Sequence, residues 1–156
     1  MTPDILQNLT ANGWVLPAAA APKYAYEAVA VEGNLAYVSG QIPKLGGNVV
    51  HTGPVSDHDI ERGIEAAELC ALNLLAQLEA TIGLENVRTV LKLNGYVSSA
   101  DGFTRQPEVI DGASKLIRTV LGDAGGHART ALPAANLPAD ATVEIELVVA
   151  TVAQGS

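Results

Sequence analysis

Between Asp57 and Ile82 the apolar side chains fall at Ile60, Ile64, Ala67, Ala71, Leu74, Leu75, Leu78 and Ile82. That spacing predicts one long helix with a single apolar face. Glu61, Arg62, Glu65, Glu68 and Glu79 occupy the opposite face. Ser56 or Asp57 can cap its start, and Gly83 can adopt the left-handed conformation that closes its end. Such a helix needs a layer to bury its apolar face against, so the remaining segments are read for that layer.

They supply mostly strands. Tyr26–Val31 and Leu35–Gly40 read as a hairpin turned at Glu32-Gly33-Asn34. Val87–Val97 and Ala128–Ala134 read as strands. Ala141–Val152 reads as the last strand, with Val143, Ile145, Leu147 and Val149 on one face and Glu144 and Glu146 on the other. Pro107–Leu121 is a second helix, with Pro107 suited to its first turn and Gly122 to the residue after its end. Residues 41–56 read as a loop with one short strand near Val49 and Val50. Ahead of this, Thr2-Pro3 opens a short helix over residues 3–11, Gly13 ends it, and Trp14-Val15-Leu16 form a short strand. The order β-β-α-β-α-β-β predicts an α+β sandwich with both main helices on one sheet face. The 156 residues fit a single domain, with residues 1–25 as a lead-in. The other sheet face, part acidic and part apolar, suggests closure against another subunit.

Composition limits the function classes. Aromatics make up 4% of the chain, so the core is built from Ala, Val, Leu and Ile. Nine basic residues stand against 17 acidic ones, a net charge of −8, which argues against a nucleic-acid groove but not against a small anion held by one arginine. Cys70 is the single cysteine, which rules out an internal disulfide and a cysteine-ligated metal cluster and fits a reducing, cytoplasmic setting. No signal peptide and no membrane-spanning segment is expected. His51, His58 and His127 show no metal-ligand spacing, so no metal is expected.

Arg129, after Gly125-Gly126-His127-Ala128, stands at the start of an otherwise apolar strand. Its planar fork matches a carboxylate; the alternative is a structural salt bridge to Glu144 or Glu146. Glu144 and Glu146 are either buried acids that orient water or an exposed, ion-paired face. His127 is either a titrating neighbour of Arg129 or a loop residue. Ser39 lacks the pattern of a hydrolase nucleophile. Gly122–Gly126 lacks the lysine of a phosphate loop. Asn94-Gly95 marks a bulge or the close approach of another backbone.

One unbroken run, Gly33-Asn34-Leu35-Ala36-Tyr37-Val38-Ser39-Gly40-Gln41-Ile42-Pro43, leads out of the hairpin. It is followed by Ala128-Arg129-Thr130, Leu137-Pro138 and Val143-Glu144-Ile145-Glu146. With these motifs in order, and Glu144 fifteen residues after Arg129, residues 24–153 resemble the Rid superfamily (the YjgF family) of reactive-intermediate deaminases. Residues 1–23 lie outside the resemblance. It implies a chorismate-mutase-like fold and a homotrimer with the sheets inside, the helices outside and clefts between subunits. It further implies that Arg129 grips the carboxylate of an imino acid and Glu144 positions the attacking water. Tyr26, Ser39 and Gly40 would line the same cleft, and no cofactor would be required. Active members usually carry an asparagine where this chain has Asp111 or Gly112, and a proline where it has His127, so the chain resembles a divergent branch with a changed pocket. Asp111, His127 and Thr130 are accordingly included among the substrate-binding candidates.

Three functions follow from that resemblance. The chain hydrolyses small enamines or imines to ketones and ammonia, or it binds a small carboxylate without catalysis, or it acts on RNA or translation as some relatives are described. The net charge weighs against the last.

Overall fold

The computed structural model describes residues 1–153. Helix α1 (Pro3–Ala11) starts the chain, and strands β1 (Val29–Glu32) and β2 (Leu35–Gln41) follow as a hairpin. A small hairpin of β3 (Lys44–Leu45) and β4 (Asn48–Val49) precedes the long helix α2 (Ile60–Thr81). Then come β5 (Val87–Ser98), α3 (Gln106–Leu121), β6 (Ala128–Ala134) and β7 (Val143–Thr151). The five long strands form one sheet in the order β1-β2-β7-β5-β6. All neighbours are antiparallel except β5 and β6, which the α3 crossover makes parallel. This is the expected α+β architecture, with the alternation of β7 intact. Val143, Ile145, Leu147 and Val149 are buried, while Glu144, Glu146 and Val148 face the other way and stay partly exposed.

Helices α2 and α3 pack side by side on the buried face. Their closest approach relies on small residues. A Cβ on Gly112 would lie 2.6 Å from the Ile64 carbonyl oxygen, and one on Gly63 would lie 3.1 Å from Val109 and Val55. Gly95 likewise makes room on β5, where a Cβ would lie 2.5 Å from Ile110 Cδ1. Asn94-Gly95 therefore marks neither a bulge nor another backbone; an α3 side chain fills the space. The register shifts of β5 lie at Val87/Thr89 and Val90/Lys92 instead.

Several expectations need correction. Trp14-Val15-Leu16 forms no strand. Both edges of the sheet are taken by β1 and β6, and Trp14 and Leu16 pack sideways against the core. The N-terminal stretch is tied down by Asn8, whose amide donates to the Val120 carbonyl (3.2 Å), and by Gln77, whose amide donates to the Ala20 carbonyl (2.7 Å). Strand β1 begins at Val29, so Tyr26 lies outside it in a bend. Residues 41–56 contain the β3–β4 hairpin where one strand was expected. Helix α2 begins at Ile60 because Ser56 and Asp59 build a preceding turn, in which the Asp59 carboxylate accepts from the Ser56 amide (2.7 Å) and hydroxyl (3.1 Å). The far end behaves as expected, with Gly83 at φ 80° donating to Leu78. The last strand runs from Val143 to Thr151, two residues shorter at its start than expected.

Candidate active site

The candidate residues fall into two groups, one at the edge strand β6 and one where β2 meets the central strand β7. The first surrounds Arg129. Its Cα partner across β5 is Leu93, a core residue, so the Arg129 side chain lies on the helix-covered face. There Nη1 donates to Asp111 Oδ1 at 2.5 Å and to Ser114 Oγ at 3.3 Å. Asp111 and Ser114 share one side of α3 by their three-residue spacing, whereas Gly112 faces α2. Of the two residues proposed to replace the asparagine of the resembled family, Asp111 is thus the one that meets the arginine. His127 completes the group. Its Nδ1 lies 2.7 Å from the Gly125 carbonyl and its Nε2 2.9 Å from Ser114 Oγ.

The second group sits where β2 meets β7. The Ser39 hydroxyl donates to the Glu27 carbonyl at 2.7 Å, fastening the bend that carries the exposed Tyr26 to the end of β2. The pairing of β2 with β7 slips between Val38 and Gln41, and Gly40 lies in that irregularity, against the Glu144 side chain. Burial, and then the negative charge of Glu146, hold the Glu144 carboxyl above the usual glutamate range. A carboxylate whose proton affinity is raised in this way is a stronger base toward a bound water.

Arg129 and Glu144 do not meet within one chain. They occupy opposite faces of the sheet, and their strands, β6 and β7, are two strand spacings apart, about 10 Å. The proposed structural partners of Arg129, Glu144 and Glu146, are therefore not its partners; Asp111 is. Thr130 is separated from Arg129 as well. It lies on the open face, where its hydroxyl accepts from Lys92 Nζ at 2.9 Å. Glu146 accepts from the Tyr96 hydroxyl at 2.8 Å on that same face, and this bond is the main reason the Tyr96 phenol is held above its usual range. A cavity of about 360 Å³ near Thr2, Asn8, Glu85 and Gly122 touches neither group. A groove of about 270 Å³ between α2 and α3 reaches Asp111 from the Trp14 side.

Three contributors escaped the sequence reading. Ser114 was legible as the residue three after Asp111 on one helix. Tyr96 was legible by alternation with Lys92 and Asn94. Arg62, expected on a solvated face, instead donates to Thr142 Oγ1 (2.8 Å), to the Pro54 carbonyl (2.7 Å) and to the Thr52 carbonyl, with Asp59 as counter-ion. It thereby fastens the loop before α2 to the residues that lead into β7 and Glu144. Only the fold brings those carbonyls to it. His51 and His58 join neither group, and His58 is exposed.

Comparison with known proteins follows the same lines. Residues 7–150 match the family model described as "YjgF/chorismate_mutase-like, putative endoribonuclease", so the match reaches back into the N-terminal stretch. Protein TCP17 of Trypanosoma cruzi is 40% identical over 148 residues, covering 93% of this chain and 92% of that protein. The crystal structure of protein Atu1372 of Agrobacterium tumefaciens, described as of unknown function, is 45% identical with a TM-score of 0.88, covering 96% of this chain and 93% of the other. A Shewanella oneidensis structure described as a "putative endoribonuclease" is 29% identical with a TM-score of 0.88, covering 94% and 98%. No helix among the described residues is long and apolar enough to cross a membrane.

Proposed function

The chain belongs to the YjgF/chorismate-mutase-like family, and on that premise we propose that it hydrolyses small carboxylate-bearing imines or enamines to ketones and ammonia, in clefts between the subunits of a homotrimer. The observation that carries this reading is the division of the candidate residues. An arginine fork lies on the edge strand β6, and an acid with a raised proton affinity lies on the opposite face of the central strand β7. Neither forms a site alone, and a neighbouring copy can bring its Glu144 to the Arg129 edge. The open sheet face supports such a contact, because Tyr37, Leu132 and Val148 leave apolar surface beside Glu144 and Glu146.

In this mechanism Arg129 of one subunit anchors the substrate carboxylate. Glu144, contributed by the neighbour, accepts a proton from water while the water oxygen bonds to the imine carbon. The C=N π electrons take up at nitrogen the proton that Glu144 received, giving a carbinolamine and restoring the carboxylate. Glu144 then carries the carbinolamine hydroxyl proton to nitrogen as the C=O bond forms and the C–N bond breaks, releasing the ketone and ammonia. Positioning supplies most of the acceleration and proton transfer about 10²–10⁴-fold. A net charge of −8 opposes the alternative of cleaving RNA. One observation favours the non-catalytic alternative of a carboxylate-binding trimer: Asp111 already supplies Arg129 with a counter-charge.

Ammonia release from freshly generated 2-imino acids tests the reading. Wild-type protein should accelerate release and Arg129→Ala should not. Equal rates for both, or none above the uncatalysed background, would overturn it.

A further inference from the structure

We propose that Ser114 and His127 are positioning residues which, with Asp111, hold Arg129 by a single nitrogen and turn its Nε/Nη2 edge toward the carboxylate of the ligand. The proposal rests on the reading of Arg129 as a carboxylate anchor.

The direction of the hydrogen bonds follows from chemistry. The Gly125 carbonyl, 2.7 Å from His127 Nδ1, can only accept, so the ring hydrogen sits on Nδ1. In the neutral ring Nε2 is then an acceptor, and the Ser114 hydroxyl 2.9 Å away donates to it. That leaves the Ser114 oxygen lone pairs for Arg129 Nη1 at 3.3 Å. The chain therefore runs one way, from Arg129 to Ser114 to His127 to Gly125. The second Nη1 hydrogen goes to Asp111 Oδ1. Both Nη1 hydrogens are thus used, while Nε and Nη2 have no protein partner among the described residues. Those two N–H groups form the side edge of the guanidinium, a parallel pair that fits a carboxylate bidentately.

Ser114 is mostly buried and His127 half-buried, so the chain is rigid, and Arg129 is oriented before ligand arrives. The ordering of its long side chain then takes place on folding instead of on binding, which favours affinity. Ser114 and His127 touch no ligand in this arrangement; they act through Arg129.

Pyruvate, the stable keto counterpart of 2-iminopropanoate, is the probe. Its dissociation constant is measured by calorimetric titration for wild type, Ser114→Ala, Ser114→Thr, His127→Gln and Arg129→Ala, with a thermal melt of each. Ser114→Ala and His127→Gln should weaken pyruvate about three- to tenfold while remaining folded. In turnover the same loss should appear in KM with kcat nearly unchanged. Ser114→Thr, which keeps the hydroxyl, should bind within about twofold of wild type. Should the threonine variant fail to fold, the His127→Gln result decides. Wild-type affinity in folded Ser114→Ala and His127→Gln, alongside lost affinity in Arg129→Ala, overturns the proposal and leaves the anchor intact. Wild-type affinity in Arg129→Ala overturns the anchor itself.

Discussion

Gly40 leaves the space that the Glu144 carboxylate occupies: a Cβ built on residue 40 would lie 2.7 Å from Glu144 Oε1 and 3.1 Å from its Cγ and Cδ. No backbone atom is among these contacts. The glycine therefore sets the position of a movable acid and leaves the sheet around it undisturbed.

Gly40→Ala should displace Glu144 with little effect on folding. Its Tm should change by no more than about 3 °C, because the flexible end of a side chain can move aside. Imine hydrolysis should fall at least about tenfold, because catalysis tolerates misplacement poorly. Parallel melting and ammonia-release measurements check this. A large loss of Tm with unchanged turnover per folded molecule would contradict it.

Arg129→Lys keeps the charge and loses the planar fork. Carboxylate affinity should drop about ten- to a hundredfold, the equivalent of about 1.5–3 kcal/mol for a charged hydrogen bond. Thermal stability should scarcely move, because the pairing with Asp111 is partly solvated and pairs of that kind contribute little. If affinity instead falls only in step with unfolding, the arginine is a brace.

The raised proton affinity of Glu144 has a signed consequence for stability. The folded chain retains a proton there that the unfolded chain has released. Stability must therefore decline as pH rises from the ordinary carboxylate range through the raised value of Glu144. Glu144→Gln removes this titration. At pH 8 the variant should melt above wild type, with the gap closing as the pH falls below the ordinary carboxylate range, where Glu144 is protonated in both states. Differential scanning calorimetry across that range is the measurement. The same variant should lose hydrolytic activity.

Cys70 is fully buried, and burial, followed by the charge of Glu144, pushes its thiol well above the usual range. The thiolate is the reactive species. Ellman's reagent should react with Cys70 only slowly in the native protein and rapidly in concentrated urea. Fast native labelling would mean that the α2–β7 contact opens readily.

Sedimentation equilibrium at micromolar concentration should give about three chains per particle. A clean monomer would leave Arg129 and Glu144 on separate faces of a single sheet and would remove the intersubunit mechanism.

Local periodicity was enough to define the frame. The 3.6-residue repeat of Ile60, Ile64, Ala67, Ala71, Leu74 and Leu78 specifies α2, and the two-residue alternation of Val143, Ile145, Leu147 and Val149 specifies β7, because each pattern is a property of neighbours along the chain. The Ser39-Gly40-Gln41 and Ala128-Arg129-Thr130 segments pointed to the family for the same reason. Tertiary structure decided the partners. Alternation alone says that Arg129 and Thr130 point to opposite faces, but which face is covered depends on the side to which the α3 crossover returns. That crossover puts Arg129 under α3, against Asp111 and Ser114, and leaves Thr130 with Lys92 on the open face. The same long-range packing gives Arg62 three backbone and hydroxyl acceptors that no spacing announces. It also denies Trp14-Val15-Leu16 a strand, because Trp14 and Leu16 pack against the core and the segment pairs with no edge strand. Hydrogen-bond partners tens of residues apart are chosen by how layers stack, and a periodicity read along one segment carries no record of that.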